Sequence, residues 1–166
     1  MPPVPAPELY NENQPAAGTI AGLHPAERIV TRIGDGEIRF GTGVVESDDP
    51  NEVKAPASGS DVFSGVALQS AQASDLNNEK YNSLDVVGVA EAAVVTVHCE
   101  EAVDENDPVR LRHTAATGKV PGDFAKTADA GKTMLITKGA RWGGTLTAAG
   151  RVALILNGPF TVEADT

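Results

Sequence analysis

Aromatic residues make up only 4% of this chain, cysteine occurs once, and lysine and arginine never gather into a run. With so few rings, a core has to be assembled from Val, Ile, Leu and Ala, each of which buries less apolar area. Self-association is then a direct way to bury more. The single Cys99 excludes an internal disulfide, and its place at the end of the apolar run 94–99 reads as a small core residue. The lack of a basic patch removes the means of tracking phosphates, so no direct nucleic-acid binding is expected. Against 13 basic residues stand 23 acidic ones, a formal charge of -10 that keeps the surface hydrated. No stretch approaches the roughly 18 apolar residues of a membrane-spanning helix, and the first basic residue is Arg28. Neither membrane insertion nor a signal peptide is expected.

Also missing is any stretch of roughly ten residues with a clean helical period. What the 166 residues do contain is glycine (17), proline (11) and short runs of β-branched residues. That pattern predicts many turns and an all-β fold, a small barrel or jelly-roll-like sandwich. Residues 1–19 hold five prolines and predict an extended arm, with 20–166 as the β-rich domain. The arm is either a disordered tail or a segment ordered against a neighbouring subunit, with Val4, Leu9 and Tyr10 as its anchors.

Within the domain, residues 28–33, the turn Gly34-Asp35-Gly36 and residues 37–45 read as a hairpin. Ile38, Phe40 and Thr42 share a face there, and Gly41 and Gly43 mark a bulge or a close backbone approach. Residues 46–60 read as an acidic loop, 62–68 as a strand, and 69–83 as a polar connection with room for a turn of helix. The strongest β signals are 84–90 and 92–99, with apolar residues on both faces of the second, as in a central or covered strand. Val109 and Leu111 point inward in the next strand and Arg110 and Arg112 outward. A Gly- and Ala-rich excursion over 113–132 leads to a short strand at 133–137. After Gly139-Ala140-Arg141-Trp142, residues 151–157 form a closing strand, Asn157-Gly158 a turn, and 160–162 a last edge pairing.

Chemistry finds little support. His98 and Cys99 are adjacent, so on a strand they face opposite ways and cannot act as base and nucleophile. A zinc site from His24, Cys99 and His113 has no ligand spacing behind it. The carboxylates Asp48, Asp49, Glu100, Glu101, Asp104, Glu105 and Asp107 read as solvated loops; Asp104, Glu105 and Asp107 lack the context of a calcium loop. There is no G-x-G-x-x-G before a helix, no Gly-Lys-Ser/Thr cradle and no G-x-S-x-G elbow. No enzyme, metal or cofactor is expected. Arg141-Trp142 reads either as core filler or as an interface anchor.

In order along the chain, Gly34–Gly43 (GDGEIRFGTG), Gly65-Val66-Ala67-Leu68, Glu101-Ala102-Val103, Asp107-Pro108-Val109, Gly139-Ala140-Arg141-Trp142 and the strand from Gly150 to Leu156 resemble the structural cement proteins of tailed bacteriophages. The likeness spans roughly residues 18–158. It departs at Asn106, where the family often has Gly; Asn also accepts left-handed backbone angles. The resemblance implies a capsid decoration protein on the outer surface of the virion, made in the host cytoplasm, binding the major capsid protein as a homodimer, with a trimer as second choice. It adds Phe160 and its edge strand, with Arg141 and Trp142, as candidate contact residues between subunits or to the shell. The alternatives are a tail or baseplate β-barrel module and a bacterial interaction domain.

Overall fold

The computed structural model describes residues 15–21 and 28–166. Among the described residues eleven strands follow one another, with a single 3-10 turn at Leu76–Asn78: β1 (Arg28–Gly34), β2 (Ile38–Arg39), β3 (Gly43–Glu46), β4 (Glu52–Lys54), β5 (Phe63–Ala67), β6 (Lys80–Tyr81), β7 (Val86–Cys99), β8 (Arg110–Arg112), β9 (Phe124–Ala125), β10 (Thr133–Trp142) and β11 (Gly150–Ala164). The fold is all-β.

The pairings return on themselves twice. One circuit runs β1–β4–β3–β5–β7 and back to β1; the other runs β7–β11–β10–β8–β9 and back to β7. Each has five members, and β7 belongs to both. The first circuit is a small closed barrel. Val30, Val53, Val44 and Ala67, with Val87 and Val89, give its interior at least one residue from every member strand. Ile38, Phe40 and Tyr81, from β2, β6 and the turn between β2 and β3, fill it further. Closure leaves this barrel with no long unpaired edge among its five strands.

Alternation then builds the second core. Val45 and Val66 lie next in sequence to the interior Val44 and Ala67, so they point out of the barrel wall, and the register shift at Val44/Val45 sets Phe63 opposite Val45. They meet Val95, Val97 and Cys99 of β7, Val152, Leu154 and Leu156 of β11, Met134, Ile136 and Trp142 of β10, Leu111 and Phe124. The scarce rings are spent here and inside the barrel. Phe40 meets Tyr81 edge-on at 5.0 Å, and Phe63, Phe124, Phe160 and Trp142 form a chain of edge contacts at 4.7–6.5 Å. Gly43 makes this packing possible: a Cβ there would collide with Leu111 and come within 3.2 Å of the Phe124 ring.

Several sequence expectations change. The 28–45 hairpin does not form, because β1 pairs with β7 along Arg28–Ile33 and with β4 at its end, while β2 pairs with β6. Gly41, at φ +69°, breaks the expected second strand in two. The acidic loop 46–60 contains β4. The two strong β signals are one 14-residue strand, kept continuous by a register shift between Arg28 and Ile29 on the β1 side. Asn157-Gly158 is not a turn: β11 runs through it, and the register against β10 shifts twice between Ile136 and Ala140. An Asn-Gly turn needs the following chain to fold back; here β10 continues alongside to Met134↔Ala164 and absorbs the extra residue as a bulge. Ahead of β1, Ala17 is buried and Gly18 donates to the Thr96 carbonyl at 2.8 Å, so residues 17–20 already lie on β7.

Candidate functional site

The residues that could carry chemistry converge at one end of β7, β8 and the loop before β10. Alternation placed Arg112 outward, yet its side chain is fully buried. Residues 113–132 wrap over that face and bring Asp129 and the Thr114 carbonyl to it. The Arg112 guanidinium donates to Glu100 through Nε, and through Nη2 at 3.0 Å; Nη1 donates to Asp129 Oδ2 at 3.0 Å and to the Thr114 carbonyl at 3.3 Å. Lys119 Nζ stands 3.4 Å from Glu100 Oε2, the oxygen that also accepts from Arg112 Nη2. A fully buried planar fork with four of its five donors engaged is a structural bracket, closed off from any substrate.

Asp123 lies beside this cluster, 3.3 Å from Arg39 Nη1. Burial raises its pKa to about 6, with the Glu100 charge adding to the rise and Arg39 opposing it. His98 is driven the other way, to about 4, by burial first and then by the positive charges of Arg39 and Arg151. It is therefore neutral at pH 7. Burial pushes the Cys99 thiol up to about 11, and its Sγ donates to the Glu101 carbonyl at 3.3 Å. A protonated, buried thiol is a poor nucleophile. Among the described residues no group of three or more His, Cys, Asp or Glu side chains could hold a metal ion; His24 lies outside them. A depression lined by Gly18, Thr19, Ile20, Leu68, Gln69, Ser70, Ala71 and Leu76 has no titratable wall.

The expected contact residues scatter. Val4, Leu9 and Tyr10 lie outside the described residues. Trp142 is 1% exposed, sits edge-on to Phe124, and donates from Nε1 to the Pro108 carbonyl at 3.2 Å. It is core, and only Arg141, exposed on the other face of β10, is available at the surface. Phe160 is partly buried, 4.7 Å from Phe63. The structure adds three apolar residues that sequence reasoning assigned to strands without a surface role. Leu84, Val86 and Ile33 are 76%, 60% and 39% exposed. They adjoin: Ile33 is the partner of Val86 across β1–β7, and Leu84 donates to the Gly34 carbonyl at 2.8 Å. The signal that could have revealed them is the polar run Asn82-Ser83 just before Leu84, which marks a turn rather than a strand.

The comparisons with known proteins agree with this geometry. The family described as "Structural cement protein (E217 gp24/Pam3 gp6)" matches residues 6–157. A chain from the solved capsid of Myoviridae phage XM1 has the same fold at a TM-score of 0.68 and 16% identity, covering 87% of this chain and 91% of that one. No curated protein matches. A doubly closed β body whose polar cluster is spent on internal bracing, and whose sequence matches this family along most of its length, belongs to the phage structural cement proteins.

Proposed function

We propose that this protein acts as a clamp on the outside of the phage head, touching adjacent major capsid protein subunits and working as a dimer, with a trimer as the second choice. Family membership makes it a structural component of the capsid rather than an enzyme. The single observation that supports the clamp reading is the pairing of a sealed body with exposed apolar residues that the fold does not need. The action is thermodynamic. A protein that binds the assembled lattice but not free subunits stabilises assembly by mass action, by about 2.7 kcal/mol at a hundredfold excess over Kd. Gripping two subunits at once turns the second contact into an intramolecular one, so individually weak contacts suffice.

Two further contacts belong to this reading. In the arm, prolines stand at positions 3, 5 and 7. An extended chain of that kind has donors only on the side of Val4, Ala6 and Glu8, so it adds to a sheet edge from one side alone. Among the described residues, β11 beyond Asn157 pairs with β10 and with no second strand, which leaves the edge around Phe160 for another subunit.

The test is electron microscopy of the purified protein mixed with empty, expanded heads. Density at symmetry-related outer positions is expected; heads left bare at saturating protein would refute the clamp. Deleting residues 2–14, which spares the buried Ala17 and the Gly18 hydrogen bond to Thr96, should lower occupancy while leaving the melting temperature of the free protein unchanged. Full occupancy after the deletion would remove the arm from the clamp.

A further inference from the structure

Leu84 combines two features that each work against the isolated molecule. Among the described residues it is the most exposed of the large apolar side chains, at 76%, and its backbone lies at φ +69°. A γ-branched side chain in the left-handed region is uncommon and strained. The turn carrying it is nonetheless held firmly. Asp85 Oδ2 accepts from the Asn82 N–H at 2.8 Å, the Ser74 N–H at 3.0 Å and the Ser74 hydroxyl at 2.6 Å; the Asn82 side chain donates to Ser74 Oγ at 2.9 Å. The Asp85 carbonyl accepts from the Gly34 N–H at 2.9 Å. Every brace fixes the loop, and the leucine is what the loop displays. Strain kept by surrounding contacts while an apolar side chain faces water marks a preorganised contact.

We propose that Leu84, with Val86 and Ile33 beside it, is a docking knob that enters an apolar recess ringed by lysine or arginine on the capsid subunit. The proposal rests on the clamp reading and names the residues that make the contact. The partner's charge follows from the rim. Glu52 is paired with Ile33, Asp35 accepts from Ser47 at 2.6 Å, and Asp49 closes the turn before Glu52. Of the basic groups close by, Arg28 and Arg32 face Glu91 and Lys80 is held by Glu37 and Asp75; Lys54, two residues along β4 from Glu52, leaves the rim net acidic against Glu52, Asp35 and Asp49. An acidic rim opposes its own image across a twofold axis, so a second copy of the chain is a poor occupant. A basic-rimmed surface suits it.

The experiment measures head binding and free-protein stability together. Leu84→Asn accepts the left-handed backbone more readily and removes the exposed apolar group, so the free protein should melt at the same temperature or higher. Affinity for expanded heads should fall roughly ten- to a hundredfold, the loss expected for one buried leucine. Wild-type binding should also weaken as salt rises from about 0.05 to 0.5 M. Val86→Thr, which keeps strand propensity, should lower affinity in the same direction and serves if Leu84→Asn fails to fold. Head affinity unchanged in both variants would overturn the knob while leaving the clamp intact; a change confined to self-association would overturn it in favour of a second copy. If wild-type protein itself leaves heads bare, the clamp and the knob fall together.

Discussion

Replacing Arg112 with methionine tests whether the buried bracket holds β8 to the end of β7. The substitution keeps length and apolar volume but removes four donated hydrogen bonds, two of them to Glu100, whose side chain is 2% exposed. A buried charge pair broken from one side costs about 3–5 kcal/mol, chiefly because the remaining ion stays desolvated. Here two circumstances lower the figure. Lys119 Nζ, 3.4 Å from Glu100, still compensates part of its charge, and Asp129 is 32% exposed and can rehydrate. A loss of about 3 kcal/mol is therefore expected, which for a chain of this size lowers the melting temperature by roughly 6–12 °C. The decisive arm is the double variant Arg112→Met with Glu100→Leu. It removes the stranded carboxylate and should recover to within about 1–2 kcal/mol of the parent, since a hydrophobic replacement of a buried pair is often near neutral. Reversible urea and thermal melts followed by circular dichroism give both numbers. A single variant that loses less than about 1 kcal/mol, or a double no more stable than the single, would refute the bracket.

Asp123 and His98 predict a pH response that is hidden in the parent. The folded pKa of Asp123 lies at about 6, above its ordinary 3.8, so its contribution to stability declines as pH rises from about 4 to 6. His98 titrates at about 4 rather than 6.5, so its contribution rises with pH over nearly the same window. The two oppose, so the parent should respond less steeply than either variant; Asp123→Asn should unmask a rise with pH and His98→Gln a fall, read as melting temperature against pH. Parallel profiles in all three proteins would show that neither group is shifted. Gly65→Ala places a Cβ against the Ala90 carbonyl and 2.9 Å from Val89 Cγ1 at φ +149°. It should cost about 2–5 kcal/mol by prising β5 from β7, and an unchanged urea midpoint would contradict the close approach. Cys99 should resist a thiol reagent at pH 8 until the protein is unfolded; prompt labelling of the native protein would mean that the thiol is accessible.

The all-β class was legible because alternation and punctuation act locally. β5, the two halves of β7, and the inward set Val152, Leu154 and Leu156 all follow from period two and flanking glycines. Partner choice was not legible. Whether β1 pairs with β2 or with β7 depends on which distant strand closes the barrel, and a local Gly-Asp-Gly turn signal says nothing of that. Arg112 was misplaced for a related reason. Alternation assigns a face correctly, but whether that face is wet depends on an excursion of some twenty residues that carries Asp129 back over it. The proposed contact surface was hardest to see. Leu84 and Val86 look like core when read by hydrophobicity, and only the left-handed backbone at Leu84 shows the side chain turned outward. Trp142, read as either core filler or an interface anchor, is core: in a chain so poor in rings, the interior claims them first.

Because β7 is a wall of both circuits, hydrogen-bonding along its length with β5, β1, β11 and β9, neither half has a seam along which it can melt by itself. Loss of β7 from one core exposes the other, so calorimetry should record one transition for the body rather than two. A shell fitting made this way fails all at once or not at all. Under slow outward strain from a filled head, the weakest link is then its seat on the lattice, which can let go and rebind, rather than the body, which would have to refold.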